Sequence, residues 1–238
     1  MSKVELIAEV SSNHGGDLAL AKEFIWRFAE AGADWVKFQT TRVKHLSPAD
    51  PQYAWFQQAE VSDEAHVELK AECQKAGVKF LTTVYNVAEV PMLAALGLEA
   101  VKVGSGEARE AALLDALVEQ TNGLIIVSDG IVPRLFRYHE LWPRVRTLKC
   151  ISRYPAPHGM VPQDFGLREH DGWSDHCVGL ESCHVAILRG ASIIEKHVCL
   201  PHQARPVKPY EATVEEFKQL RAFADEDPQR FLGRWQHA

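Results

Sequence analysis

Eight short runs rich in β-branched and aromatic residues recur along the chain, and segments of helical periodicity separate most of them. The runs lie near residues 4–11, 35–41, 79–85, 100–105, 124–128, 148–154, 172–177 and 192–199. Aliphatic residues at three- and four-residue spacing predict helices near residues 18–31, 62–76, 87–96, 113–118, 180–188 and 214–223. Alternation of strand and helix is typical of a parallel sheet.

The number of these units and the chain length favour a closed barrel over an open sheet. Eight strand-and-helix units need about 250 residues, and the chain has 238. A glycine that can end a helix follows four of the helical segments, at Gly32, Gly77, Gly97 and Gly190. We therefore predict one α/β domain over residues 1–238, an eight-stranded parallel (β/α)8 or TIM barrel. We expect irregular crossovers at 133–147 and 155–171, where the helical pattern is weaker.

Charge and cysteine usage indicate the setting and the kind of partner. The formal charge of −6 comes without a basic run, so we expect no nucleic-acid binding. No run of about 18 apolar residues is present to span a membrane, and the first residues lead directly into a strand without the apolar region of a signal peptide. Five cysteines without a CxxC pair predict reduced thiols and a cytoplasmic protein. The expected partner is a small molecule.

Several strands break their apolar pattern near their carboxyl ends, where barrel enzymes carry their chemistry. The first strand has Glu9, the second has Lys37 and Gln39, and the fourth has Lys102. Both faces of a barrel strand are largely buried, so a lysine there needs a partner. One interpretation is a structural ion pair of Glu9 or Glu195 with one of the lysines; the other is a functional site.

A glycine-containing segment after the fourth strand suggests anion binding. Residues 102–107 read Lys-Val-Gly-Ser-Gly-Glu, and glycines let backbone amides turn towards an anion. A simple tight turn is the alternative. Lys37, Thr83, Ser128 and Ser174 at comparable strand ends favour a phosphate pocket. Charge-assisted hydrogen bonds contribute roughly 1.5 to 3 kcal/mol each, so three or four would hold an anion at about micromolar affinity.

Two histidines, His176 and His197, end the seventh and eighth strands, which are neighbours in a closed barrel. Imidazole suits a first-row transition metal, and two histidines with open positions favour a catalytic metal over a structural zinc. The alternative is that each is a satisfied core histidine. His14, in the first loop, is a third candidate that we expect at the same mouth. Tyr154 either lines the substrate pocket or plugs the barrel mouth.

Eight motifs, in this order, resemble the N-acetylneuraminate (sialic acid) synthase family and its legionaminate and pseudaminate relatives. They lie at residues 7–17, 32–40, 46–48, 80–83, 102–107, 154–157, 174–176 and 193–197. The resemblance implies a barrel that condenses phosphoenolpyruvate with the open-chain aldehyde of an N-acetylmannosamine-like amino sugar and releases phosphate. It also implies a divalent metal, with manganese expected and magnesium or cobalt as alternatives.

By position, the resemblance assigns a role to each candidate. His176 and His197 would hold the metal, and Glu9 and Glu107 would flank the reacting carbons, with Glu107 orienting or deprotonating a water. The expected substrate-binding residues are Lys37, Gln39, Thr83, Lys102, Ser105, Ser128, Ser152, Tyr154 and Ser174.

The chain also departs from the family pattern, chiefly on the acceptor side. The loop 205–212 reads Arg-Pro-Val-Lys-Pro-Tyr-Glu-Ala where relatives usually have an acidic Gly-Pro-Asp-His type of loop, so we expect no acceptor-side carboxylate there. Ser152 stands where an asparagine is usual, and residues 128–131 read Ser-Asp-Gly-Ile instead of Ser-Thr-Gly-Met.

The sequence ends soon after the last predicted helix, so we expect the family's C-terminal antifreeze-like domain to be absent. We expect a homodimer or a partner subunit to replace this lid. Two alternatives to the synthase remain open: a metal-dependent aldolase or lyase on the same barrel, and a non-catalytic barrel that binds an anion or a partner.

Overall fold

Eight parallel strands close into one barrel in chain order, as predicted. The computed structural model describes residues 3–131, 143–163, 165 and 170–226. The strands are β1 (Glu5–Ser11), β2 (Trp35–Thr40), β3 (Lys79–Val84), β4 (Ala100–Val103), β5 (Leu124–Asp129), β6 (Val145–Cys150), β7 (Gly172–Asp175) and β8 (Ile193–His197). The helices are α1 (Leu18–Glu30), α2 (Tyr53–Ala59), α3 (Asp63–Ala76), α4 (Val90–Leu96), α5 (Ala111–Gln120), α6 (Glu181–Leu188) and α7 (Val214–Asp225).

Local capping residues set where the longer helices begin. Asp17 accepts the backbone N–H groups of the first turn of α1, and Ser62 does the same for α3. Thr213 and Glu216 form a reciprocal capping box at the start of α7. Such caps satisfy N–H groups that have no partner inside the helix.

Two elements differ from the sequence prediction. Strand β6 covers Val145–Cys150, three residues earlier than expected, because Arg146 interrupts the apolar pattern at its start. The guanidinium of Arg146 reaches the carbonyl oxygens of Pro143 and Val145 at the rim, so the arginine fits within a strand. The short helix α2, between β2 and β3, was not predicted.

The described residues cover part of the two segments that were predicted to be irregular crossovers. Residues 151–163 contain no helix in the described part of the chain, as expected for the crossover after β6. Residues 133–142 of the other predicted irregular segment lie outside the described residues. Residues 145–147 of that segment belong to β6.

A cluster of apolar side chains, which we call the plug, fills the lower part of the barrel interior. Seven buried side chains from seven strands form this cluster: Ile7, Trp35, Leu81, Ala100, Ile126, Leu148 and Ile193. A second, larger apolar cluster lies between the strands and the surrounding helices. Because the plug fills the lower interior, any pocket inside the barrel lies above it, at the carboxyl ends of the strands.

The five cysteines are all free and buried. Among the residues that the structure describes, no helix has the length and hydrophobicity needed to cross a bilayer.

Gly172 allows the close approach of β7 to β8. A Cβ atom added there would lie 2.0 Å from the carbonyl oxygen of Ile193. We expect Gly172→Ala to lower the free energy of unfolding by about 1 to 3 kcal/mol, because the backbone must shift. Urea unfolding followed by tryptophan fluorescence measures this change. Gly106→Ala is the control, since a Cβ there meets no heavy atom within 4 Å. Equal stability of the two variants would contradict this account.

Candidate active site

On seven strands, the residue two positions after the plug residue faces inward and carries a polar group or a thiol. On β7, which has no plug residue, Ser174 holds the equivalent position two residues after Gly172. Residues i and i+2 of a strand face the same side, so the plug residues determine which side chains point inward above them. The eight side chains are Glu9, Lys37, Thr83, Lys102, Ser128, Cys150, Ser174 and Glu195, and all of them line one cavity. We call this set the polar ring.

Lys37 links two buried carboxylates of the polar ring. Its Nζ atom lies 3.2 Å from Oε2 of Glu9 and 3.2 Å from Oε2 of Glu195, and it donates a hydrogen bond of 3.1 Å to Oγ1 of Thr83. Gln39 donates a hydrogen bond of 3.0 Å from Nε2 to Oε1 of Glu9. The ion pair that was considered as a structural alternative is therefore present, and it lies inside the cavity.

Lys102 occupies the opposite flank of Glu195. Its Nζ atom donates hydrogen bonds to Oγ of Ser128 at 2.6 Å and to the carbonyl of Val103 at 2.9 Å, and lies 4.0 Å from Oε2 of Glu195. Ser174 donates a 2.8 Å hydrogen bond from Oγ to Oε1 of Glu195. Glu195 therefore lies between two ammonium groups and a hydroxyl.

The environment separates the pKa values of the two carboxyl groups. Burial raises the pKa of Glu9 to about 7, although Lys37 opposes this shift. Burial also disfavours ionised Glu195, but Lys102 and Lys37 overcome it and lower the pKa of Glu195 to about 2. With Glu9 protonated, two lysines against one carboxylate give the polar ring a net charge of +1 (2 − 1). The ring is thus suited to bind an anion.

Burial acts in the same direction on both lysines, but their final pKa values move apart. It lowers the pKa of Lys102. It would also lower the pKa of Lys37, but Glu195 and Glu9 raise that pKa above its ordinary value. Lys37 is therefore the more strongly held cation.

His176 and His197 lie above the polar ring, and the centroids of their imidazole groups are 5.5 Å apart. Nδ1 of His176 donates a 2.7 Å hydrogen bond to the carbonyl of Ile151, so its Nε2 is an unprotonated ligand atom when the ring is neutral. Burial lowers the pKa of both imidazoles, which keeps them neutral. The ring of Tyr154 covers His176, with 4.0 Å between centroids.

Two neutral imidazoles, one of them oriented by a backbone carbonyl, fit the requirements of a metal site. No group of three or more His, Cys, Asp or Glu residues suited to a metal occurs in the described ranges. A metal held by the histidines alone would keep open coordination positions for substrate, which is the arrangement expected of a catalytic ion.

The remaining predicted residues lie at the cavity rim. Oγ of Ser105 and Oγ of Ser152 are 2.8 Å apart. A Cβ on Gly130 would lie 2.3 Å from Oγ of Ser152, so glycine permits this approach. Glu107 lines two neighbouring pockets instead of the polar-ring cavity. Burial raises the pKa of Glu107.

His14 has a structural position, in contrast to the expectation that it faces the mouth. It is buried, and its ring meets the ring of Phe38 edge-on with 5.8 Å between centroids. Its Nδ1 accepts a 3.1 Å hydrogen bond from the backbone N–H of Gly16. His14 is not among the residues that line the polar-ring cavity.

The loop after β8 directs its carboxylate away from the histidines. Glu211 accepts a 3.2 Å hydrogen bond from Nδ2 of Asn13, which ties the loop 205–212 to the first loop of the barrel. Tyr210 instead faces the site, with its ring 5.4 Å from the ring of His197. Whether the loop supplies a carboxylate to an acceptor stays a prediction.

Three lining residues, Tyr85, Cys150 and Glu195, were not predicted as site residues. Glu195 had been considered only as a structural partner of a lysine. Tyr85 lies two residues beyond Thr83, and Cys150 two beyond Leu148. Strand alternation alone points to both, because the predicted strands 79–85 and 148–154 include them.

Comparison with known proteins identifies similar sequences and structures. Residues 24–226 match a family model described as the NeuB family. The chain is 30% identical over 238 residues to an uncharacterized protein of Methanocaldococcus jannaschii, covering 90% of this chain and 68% of that protein. It is 31% identical over 230 residues to the N,N'-diacetyllegionaminic acid synthase of Campylobacter jejuni, covering 84% and 69% respectively.

A solved structure shares the whole barrel. It is the N-acetylneuraminic acid (sialic acid) synthetase of Leptospira borgpetersenii in complex with citrate. The TM-score is 0.85 at 25% sequence identity, and the match covers 98% of this chain and 86% of that one.

The buried, neutral His14 should make the fold sensitive to acid. Burial lowers its pKa to about 4, so between about pH 6.5 and 4 the unfolded chain binds a proton that the folded chain does not. We expect stability to be complete above pH 6.5 and to fall towards pH 4, by at most about 3 kcal/mol relative to His14→Asn, which keeps an acceptor atom. Urea titrations at several pH values measure the difference. His158 is exposed, and His158→Asn is the control that should show the wild-type dependence of unfolding free energy on pH. The assignment would be contradicted if His14→Asn also showed the wild-type dependence.

Proposed function

Because the chain belongs to the NeuB family of sugar acid synthases, we propose that it condenses phosphoenolpyruvate with an N-acetylmannosamine-like amino sugar. C3 of phosphoenolpyruvate bonds to the aldehyde carbon of the sugar, water adds at C2, and phosphate leaves. The observation that carries this proposal is that two lysines, two histidines and two carboxyl groups of opposite ionisation face one cavity.

The polar ring is suited to hold phosphoenolpyruvate. Lys37 and Lys102 supply charge, and the hydroxyl groups of Thr83, Ser128 and Ser174 supply further hydrogen bonds. Ser105 lies at the rim of the same cavity. Since binding a further negative charge favours the protonated form of a nearby carboxyl group, Glu9 would take up a proton as phosphoenolpyruvate binds.

His176 and His197 would hold the divalent metal, for which we propose manganese, with magnesium or cobalt as alternatives. When bound, the metal supplies Lewis-acid polarisation of the aldehyde oxygen. The chain's own groups then act on the carbon skeleton. The ionised Glu195 would stabilise the positive charge that develops at C2 as the new carbon–carbon bond forms, and Glu9 would flank the reacting carbons.

Glu107 is the proposed base for the second half of the reaction. It removes a proton from the water that adds at C2, giving a tetrahedral carbon that bears both hydroxyl and phosphate ester oxygens. The hydroxyl proton passes to the departing phosphate oxygen as the C2–O bond breaks, and the oxygen of the water remains as the keto group. The proton that Glu107 took from the water is passed on to the former aldehyde oxygen, which becomes a hydroxyl group. The raised pKa makes Glu107 a stronger base than an exposed carboxylate.

The direct test is phosphate release from phosphoenolpyruvate with Mn²⁺ and N-acetylmannosamine. We expect release that needs both substrates and stops on chelation of the metal. Lys102→Met should raise the KM for phosphoenolpyruvate by about a hundredfold, because a buried charge-assisted contact is lost. The exposed Lys75→Met is the control. No release with any aldehyde, and no thermal protection by phosphoenolpyruvate, would refute the synthase. Cleavage of a 2-keto acid without phosphate release would instead indicate an aldolase.

Replacement of Glu107 separates binding from chemistry. We expect Glu107→Gln to lower kcat by about a hundredfold or more, in the range of a lost general base, with little change in phosphoenolpyruvate binding. Stopped-time phosphate assays and thermal shift with phosphoenolpyruvate measure the two effects. Glu119→Gln, exposed on helix α5, should leave both unchanged. Near-normal turnover of the Glu107 variant would exclude this role.

A further inference from the structure

A second cavity of about 330 Å³ adjoins the polar-ring cavity. It lies between the loops that follow β2 and β3, and its polar lining includes Thr41, His45, Asn86, Glu89 and Glu107. Tyr85 borders both cavities, so the two spaces meet at its side chain. The volume falls within the range of small-molecule sites.

The carboxylate of Glu89 lines this second cavity. Lys44 Nζ, at 3.0 Å, and His45 Nε2, at 3.1 Å, both contact its Oε1 atom. Its Oε2 atom makes no hydrogen bond or ion pair with the described residues, and it is not one of the fully buried polar atoms without a partner. This oxygen can therefore accept a hydrogen bond from a ligand hydroxyl group in place of water.

The Tyr85 hydroxyl offers a second contact at the junction. Across the residues that the structure describes, it makes no hydrogen bond. Burial raises the pKa of Tyr85 well above its ordinary value, as do the nearby carboxylates of Glu9 and Glu107. The group therefore stays a phenol, able both to donate and to accept a hydrogen bond. Tyr154, which covers His176, also acts electrostatically on Tyr85, so the junction is close to the histidines.

The charges around the second cavity disfavour an anion. Arg42 is paired with Glu60 and Asp63, and Lys44 and His45 already contact the carboxylate of Glu89. Glu89 and Glu107 both line the cavity. A phosphate group placed there would meet two carboxylates, whereas neutral hydroxyl groups would find hydrogen-bond acceptors.

We propose that the second cavity binds the hydroxylated tail of the acceptor sugar, with Glu89 and Tyr85 as specificity residues that select an uncharged tail over a phosphorylated one. The identity of the ligand as an acceptor rests on the proposed function. The aldehyde end would lie near His176 and His197, and the tail would pass Tyr85 into the second cavity.

A comparison of acceptors with and without a hydroxylated tail measures how much the tail contributes to turnover. The probes are N-acetylmannosamine, its 6-phosphate, and glycolaldehyde, which has no tail to fill the second cavity. We expect Glu89→Gln and Tyr85→Phe each to lower the ratio of kcat/KM for N-acetylmannosamine to that for glycolaldehyde by about tenfold, the effect of one lost hydrogen bond to a charged or buried partner. Glu99→Gln, at the far end of the barrel next to Lys79, should keep the wild-type ratio.

Two results of this comparison would overturn the proposal. One is an equal loss with both acceptors in the Glu89 and Tyr85 variants. The other is a preference of the wild-type enzyme for the 6-phosphate. That preference would instead indicate Arg205, a cation that stacks on Trp55 on the β8 side of the mouth.

A binding measurement separates this proposal from the proposed reaction. N-acetylmannosaminitol, the unreactive alcohol of the sugar, needs no turnover to report on the second cavity. Saturation-transfer NMR with the metal-loaded protein should detect its binding to the wild type and about tenfold weaker binding to Glu89→Gln. This result supports the second cavity even if no phosphate is released. Absence of binding to the wild type, with and without phosphoenolpyruvate, would reject it.

Discussion

Closure of the barrel forces eight inward-facing positions to meet, and the site depends on this constraint. A closed sheet has no edge and one interior, so each strand contributes its second inward residue to the same small space. Seven of the eight strands supply an apolar plug residue first, and all eight supply a polar or thiol side chain two residues later. The polar ring is therefore a consequence of strand alternation above a filled core.

Burying several charges in one small space costs free energy. The polar ring lowers this cost because its charged groups share partners of opposite charge. Lys37 contacts both carboxyl groups, and Glu195 lies between two lysines. Breaking one member would leave an uncompensated buried charge. The same arrangement separates the two carboxyl pKa values, with Glu9 near 7 and Glu195 near 2. The ion pair that the sequence suggested is present, and it lies in the cavity that we propose as the functional site.

Sequence patterns were sufficient for the barrel and for most of the polar ring, because strand period and strand ends are local properties. They failed where tertiary contacts decide. The start of β6 depends on an arginine that reaches rim carbonyls, and the place of His14 depends on its packing against Phe38. The position of Glu107 beside a second cavity requires the folded loops. The lid or partner subunit and the cytoplasmic location stay predictions.

The donor and acceptor halves of the site have different physical origins. The proposed phosphoenolpyruvate ligands project from strands whose side chains are held by neighbours on both sides, so their geometry tolerates little change. The proposed acceptor contacts, Tyr85 and Glu89, lie in the segment after β3. Loops accept substitution without loss of the core. On the proposed function, a change of acceptor would therefore require new loops, while the bond-forming chemistry would require the same strands.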